Sequence, residues 1–131
     1  MTHALKGPND RQRLGAVGET LAADELLRRG CVNIIRNVRT PHGQIDLIAY
    51  DGNEMIFVEV KTRRSHCYGG AAAAITPRVK LRLINSAREY LLLTGSEDIP
   101  WRIDVVCVTL AGAAPQIEIF QNAVSESDAF G

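Results

Sequence analysis

The chain has 131 residues, 46% hydrophobic and 23% charged, enough for one globular domain whose core needs no covalent staple and too few for a second domain. Three cysteines, Cys31, Cys67 and Cys107, are odd in number and show no CxxC spacing, which excludes a disulfide framework or zinc knuckle and fits a reducing cytoplasm; His3, His42 and His66 do not complete a metal set. The formal charge is zero, yet residues 1–90 hold 14 basic and 9 acidic side chains (+5) and residues 91–131 hold 1 and 6 (−5), an asymmetry that suits a basic binding face backed by an acidic remainder.

The first residues carry Lys6, Asp10, Arg11 and Arg13 without an apolar run, so no secretory signal is expected. No stretch approaches the roughly 20 apolar residues that cross a bilayer, so no membrane partner is expected either. Asn9 to Arg29 reads as a helix. Asn9 or Asp10 caps it, Leu14, Val17, Leu21, Ala22 and Leu26 recur at near-helical spacing, and Gly30 takes the left-handed stop. Gly15 and Gly18 weaken that helix by roughly 1 kcal/mol each, which points to close packing or a nearby ligand.

Strand-rich sequence follows: Val32 to Val38, a turn at Pro41-His42-Gly43, Gln44 to Tyr50, a tight hairpin at Asp51-Gly52-Asn53, and Met55 to Thr62. Gly69 and Gly70 loosen the next loop. Thr76 followed by Pro77 opens a second helix, with Val79, Leu83, Ala87 and Leu91 on its buried face and an end near Leu93. Trp101 to Leu110 and Ile117 to Phe120 are two further strands, and the tail from Ser125 is expected to fray. The order αβββαββ is that of a mixed α/β sandwich, a single domain with its core over about residues 10–123 and flexible ends at 1–8 and 125–131.

The hairpin carries the chemistry. A two-residue loop Gly52-Asn53 sets residues whose numbers sum to 105 opposite each other, and an Asp51-Gly52 loop changes the sum to 103. Either sum keeps the same parity. Gln44, Asp46, Glu59 and Lys61 therefore share one face, and Ile45, Leu47, Ala49, Ile56, Val58 and Val60 form the apolar one. Two carboxylates about 4 Å apart repel by roughly 4 kcal/mol at an effective dielectric near 20. Lys61 can neutralise one charge. A divalent cation on Asp46, Glu59 and a main-chain oxygen of Val60 can neutralise the rest, and hard oxygen ligands are what Mg²⁺ takes. Such a cation activates water for in-line attack on a phosphodiester. On strand pattern alone the same face also suits a cross-strand ion pair on a solvated sheet surface.

Asp46, twelve intervening residues and Glu59-Val60-Lys61 match the PD-(D/E)XK nuclease signature. Beside it stand Gly18-Glu19, Asn37-Val38-Arg39, Gly43-Gln44-Ile45-Asp46-Leu47-Ile48-Ala49, Phe57-Val58-Glu59-Val60-Lys61-Thr62-Arg63 and Arg102-Ile103-Asp104-Val105-Val106. With these strings the chain resembles the YraN family of small bacterial proteins, which is similar to archaeal Holliday junction resolvases. The resemblance implies a restriction-endonuclease-like three-layer α/β/α sandwich and a Mg²⁺- or Mn²⁺-dependent, structure-selective DNA endonuclease. It also implies Glu19, Asp46, Glu59 and Lys61 as its catalytic residues, and a homodimer acting on branched duplex. In the family's G-E-I-D motif this chain has Gln44, which keeps one acceptor oxygen and drops the charge. The alternative is a nuclease-like fold that binds nucleic acid with little or no catalysis.

Arg39, Arg63, Arg64, Arg78, Lys80 and Arg82 are read as phosphate contacts flanking the site, with Arg78 and Arg82 one helical turn apart on a shared face; an ordinary solvated helix explains the same run. Aromatics are 5% of the chain, so backbone and shape recognition is expected rather than base stacking. Arg102 and Asp104 read as a structural pair, Trp101 as core or interface, and the cysteines as core, with Cys67 the one to be exposed and reactive.

Overall fold

In the computed structural model, which describes residues 9–65 and 75–129, helix α1 (Asp10–Arg28) opens on a capping box. Asn9 Oδ1 accepts from Gln12 N at 2.8 Å, and Gln12 Oε1 accepts from Asn9 N at 3.0 Å. Gly30, at φ +97°, turns the chain out of the helix. The strands are β1 (Val32–Thr40), β2 (Gly43–Asp51), β3 (Glu54–Arg63), β4 (Trp101–Thr109) and β5 (Gln116–Val124), and α2 (Pro77–Leu93) lies between β3 and β4 in sequence. Thr76 caps α2, its side chain accepting from Val79 N, with Pro77 at the first helical turn. The expected glycine-rich loop at Gly69-Gly70 and Cys67 lie outside the described residues.

One five-stranded sheet runs β1-β2-β3-β4-β5. Its neighbours are antiparallel except β3 and β4, which run parallel and so need the helical crossover between them. The β2–β3 hairpin pairs Tyr50 with Met55 and Asp51 with Glu54, and Gly52 sits at φ +61°. This is the glycine-first, two-residue loop, and its register leads through Leu47↔Val58 toward Asp46 and Glu59. Among the described residues no helix is long and apolar enough to cross a membrane.

Both faces of the sheet are buried. On one, Ala22, Ala23 and Leu26 of α1 pack with Leu47, Ala49, Ile56, Val58, Val106 and Val108; on the other, Leu83, Ile84, Ala87 and Leu91 of α2 pack with Ile48, Met55, Phe57, Ile103 and Val105. The expected apolar face is therefore only half of the core. Its member Ile45 belongs with α2, although Leu47 and Ala49 belong with α1. The same exchange occurs on β1, where Ile34 packs on the α1 side and Val38 on the α2 side. Asn37 lies between them at φ +55°, and the β1–β2 pairing stays in register across it, from Arg36↔Leu47 to Val38↔Ile45. A left-handed residue inside a strand turns the following side chains over, so strict alternation fails at the level of Asn37 and Asp46.

Two further expectations are corrected. Val17 is 48% exposed, because α1 meets the sheet along the four-residue stripe Gly18, Ala22 and Leu26. The tail from Ser125 does not fray at once: Glu126–Ala129 forms a 3₁₀ turn held to α2 by Arg88–Glu126 and Lys80–Asp128 ion pairs. Cys31 and Cys107 are buried in the two core clusters, and Trp101 packs edge-on against Phe57 with ring centroids 5.8 Å apart, as core residues should.

Gly18 sets how close α1 comes to the sheet, since a Cβ there would lie 1.7 Å from Thr62 Oγ1. Gly18→Ala should therefore destabilise by about 2 kcal/mol despite alanine's better helix propensity. Urea unfolding should show a lower midpoint at unchanged slope, with part of the loss recovered in Gly18→Ala/Thr62→Ala.

Candidate active site

Past Leu47↔Val58 the β2–β3 ladder gives way to a side-chain contact: Asp46 Oδ2 accepts from Val60 N at 2.9 Å. A carboxylate takes the N–H that a strand neighbour would otherwise use, and β2 is free to bend away from β3. Glu59, on β3 beside it, is buried. Its Oε2 accepts from Arg82 Nη2 at 2.9 Å and lies 3.3 Å from Lys61 Nζ. Strand alternation puts Glu59 and Lys61 on the face covered by α2, and α2 supplies Arg82.

Glu19 arrives from α1, one residue after the glycine that allows the close approach. Its Oε1 is buried without a hydrogen-bond partner. Asn37 and Arg36 lie beside its carboxyl group. Gln44 faces Asn37 as well, its Nε2 donating to Asn37 Oδ1 at 2.7 Å. Glu19, Asp46, Glu59 and Lys61 thus come to one end of the sheet, with Gln44 at the margin.

The electrostatics reflect crowding. Burial, then the charge of Glu59, pushes the Asp46 carboxyl up to about 7, with the Val60 N–H opposing and the contacts to Glu59 and Glu19 adding to the rise. Burial likewise raises Glu19, against the pull of Arg36 and Asn37, and Glu59 adds to it. Near neutral pH Asp46 is poised between its protonated and ionised forms.

Arg82 departs from expectation. It does not share an outward face with the exposed Arg78 but turns inward to Glu59, and its Nε is buried without a partner. Gly43 makes this possible: at φ +139° it carries no side chain, and a Cβ there would lie 2.8 Å from Arg82 Cδ. Lys80 leans toward Asp128 at 3.9 Å. Arg39, Arg63 and Arg64 are exposed as expected. Arg102 and Asp104 are the structural pair, joined by two contacts of 3.0 and 3.1 Å and extended by Glu54 and Asp51. The sequence reading missed the parts played by Asn37, Gly43 and the inward Arg82. A mid-strand asparagine, a residue depleted in strands, was the available signal for the first.

The donors suit a hard cation: Asp46 and Glu59 are adjacent, and the orphaned Glu19 Oε1 is an acceptor without a donor. Among the described residues no group of three or more His, Cys, Asp or Glu side chains is arranged to hold a metal ion, so the side-chain donors brought together are the Asp46–Glu59 pair. Its charge is balanced here by Lys61 and Arg82.

A carboxyl group that titrates higher in the fold than in the unfolded chain gives the folded state the extra proton. Below about pH 4 the two states are alike and nothing is lost; as pH rises toward 7 the unfolded chain gives up a proton that the folded Asp46 retains, which costs the fold up to about 4 kcal/mol. Stability measured by urea unfolding in metal-free buffer should fall over that window, and Asp46→Asn, which still accepts from Val60 N, should flatten the fall.

Residues 18–108 match the family described as "Uncharacterised protein family UPF0102". Among similar chains, a UPF0102 protein of Dehalococcoides mccartyi is 40% identical over 117 residues, covering 89% of this chain and 97% of the relative. One of Symbiobacterium thermophilum is 48% identical over 95 residues (72% and 80%), and one of Geobacter sulfurreducens is 40% identical over 119 residues (90% and 93%). The family match spans the capless half of α1, the Asp46–Glu59–Lys61 strands, α2 and most of β4, and the chain belongs to the UPF0102 family.

Proposed function

We propose that this chain is a Mg²⁺- or Mn²⁺-dependent, structure-selective DNA endonuclease with a restriction-endonuclease-like α/β/α sandwich, resembling Holliday junction resolvases. The observation that carries the reading is the meeting of Asp46 with Val60 N and of Glu59 with Lys61 at the open end of the β2–β3 ladder. Asp46, Glu59 and the Val60 main-chain oxygen are the metal donors, with Glu19 and Gln44 at the edge of the shell. The cation, when bound, polarises a phosphodiester and offsets the negative charge of the carboxylate pair. Lys61 faces the charge that develops on the phosphoryl oxygens. Glu19 borders the space where an attacking water would stand. Two such centres in a homodimer would suit the symmetry of a four-way junction.

A second reading, binding of nucleic acid without turnover, is favoured by three contacts. Arg82 and Lys61 already occupy Glu59 Oε2, and Gln44 is turned to Asn37.

Labelled four-way junction and linear duplex, incubated with Mg²⁺ or Mn²⁺, separate the two. The endonuclease reading expects metal-dependent cutting of the junction and a loss of about 100-fold or more in Asp46→Ala, Glu59→Ala and Lys61→Ala. Salt-sensitive binding with no cutting by the native chain supports the second reading, and absence of both defeats each. If the guanidinium and a cation compete for Glu59, Arg82→Met should tighten Mn²⁺ binding about tenfold in calorimetric titration, or roughly 1.4 kcal/mol.

A further inference from the structure

Between α1 and the outgoing end of β3 lies a cleft of about 420 Å³, lined by Arg11 and Gly15 on one side and by Val60, Arg63, Arg64 and Ser65 on the other. Three arginines are among its lining residues. Among the described residues none of the three has a carboxylate within ion-pairing distance, whereas Arg28, Arg82, Arg88 and Arg102 each do. Arg11 from α1 and Arg64, which alternation places on the α1 side of β3, favour an anion between them, and forked guanidinium donors match phosphate oxygens.

Gly15 adds an independent observation. Thr62 accounts for Gly18, but a Cβ on Gly15 would meet nothing within 4 Å, so packing does not require a helix-weakening residue there. What the missing side chain leaves is open floor in the cleft. Of the amides at the start of α1, those of Asn9 and Gln12 are taken up by the capping box. The opposite wall is fixed by the sheet: Arg63 pairs with Thr109 in register, and its carbonyl accepts from Leu110 N at 2.8 Å. The volume exceeds what an inorganic phosphate fills and suits a sugar-phosphate unit. The cleft also shares Val60 with the candidate active site, where Val60 N is bound by Asp46.

We propose that this cleft is a phosphate subsite that seats a backbone phosphate of a nucleic-acid strand adjoining the Asp46–Glu59–Lys61 centre. The inference rests on the nucleic-acid part of the proposed function and adds Arg11 and Gly15, residues of α1, to the substrate surface. The recognised chemistry is a phosphate ester, which either a polynucleotide or a free nucleotide carries.

The test is equilibrium binding of a fluorescent four-way junction in EDTA, where cutting cannot interfere, over a range of salt concentrations. Each of Arg11→Gln and Arg64→Gln should weaken binding several-fold and reduce the slope of log K against log salt by about 1. Gly15→Leu, which fills the floor, should weaken binding with no fall in melting temperature. Arg13→Gln, exposed on the same helix and outside the cleft, should behave as the native chain. Adenosine monophosphate and inorganic phosphate should compete only at millimolar concentration. Junction binding unaffected by Arg11→Gln and Gly15→Leu overturns the subsite and leaves the catalytic reading intact. Arg11-dependent binding in a chain that cuts nothing with metal keeps the subsite and removes the endonuclease. Tight, Arg11-dependent binding of the mononucleotide with none of the junction overturns the proposal in favour of a nucleotide site, and a native chain that binds none of these probes overturns it outright.

Discussion

Two carboxyl groups, Asp46 and Glu59, lie side by side where β2 parts from β3, and burial together with the charge of Glu59 disfavours the ionised form of Asp46. The neighbouring features act to offset them. Val60 gives Asp46 its N–H, Lys61 and Arg82 share one oxygen of Glu59, and Gly43 clears the path by which Arg82 arrives. Each helix contributes through one small residue or one long one. Gly18 brings α1 against Thr62 and so carries Glu19 in; Arg82 spans from α2 to the sheet. A fold in which these devices serve only stability would be more simply built by replacing the pair with apolar side chains, since buried ion pairs often break even at best.

The molecule contains a second charged cluster, and the comparison is informative. At the opposite end of β4, Arg102 engages Asp104, Glu54 and Asp51, and Asp104 also accepts from Asn122 N at 2.8 Å. Every group there finds a partner. Of the described residues, the buried side-chain atoms that lack one are Glu19 Oε1 and Arg82 Nε, both at the Asp46–Glu59 end. Buried polar atoms are nearly always satisfied in native structures, so a pair of exceptions within one constellation sets this end of the sheet apart from the Arg102 cluster. The Arg102 cluster is, by the same measure, a clasp that ties β3 and β4 together.

Much of this was legible in the residues. Glycine at the first position of the hairpin loop fixes the register, and the register brings Asp46 to Glu59; Thr76-Pro77 and Asn9 mark where the helices start. Three things were not legible. Val38 lies on the side opposite to the one alternation from Ile34 assigns, after Asn37 adopts a left-handed conformation inside the strand, and its ladder partner Ile45 lies on that same side; no period-2 reading registers that. Val17 looks like core by spacing and is exposed, because the helix contact is set by its smallest residue rather than its most hydrophobic. Arg82 reads as a surface cation since an arginine's stem is long enough to reverse its direction, and only the gap left by Gly43 decides that it does.

The charge asymmetry between the two ends of the sequence takes on a spatial meaning through the tail. Glu126 and Asp128, part of the acidic remainder, fold back on α2 and take up Arg88 and Lys80. They thereby remove two cations from the surface of α2, away from the carboxylate pair. The arginines left without a carboxylate among the described residues include Arg11, Arg63 and Arg64, gathered beside Val60, together with the exposed Arg39 and Arg78. A net charge of zero is then compatible with a local gathering of unpaired arginines beside Val60, because it is offset by the acidic excess of residues 91–131. Long-range attraction of a polyanion depends on the local field rather than on the total charge. The negative pair at the edge of the cleft would repel a polyanion if left bare; by pairing with Glu59, Lys61 and Arg82 reduce that repulsion, which under the proposed function would ease the approach of a nucleic-acid strand as well as stabilise the fold.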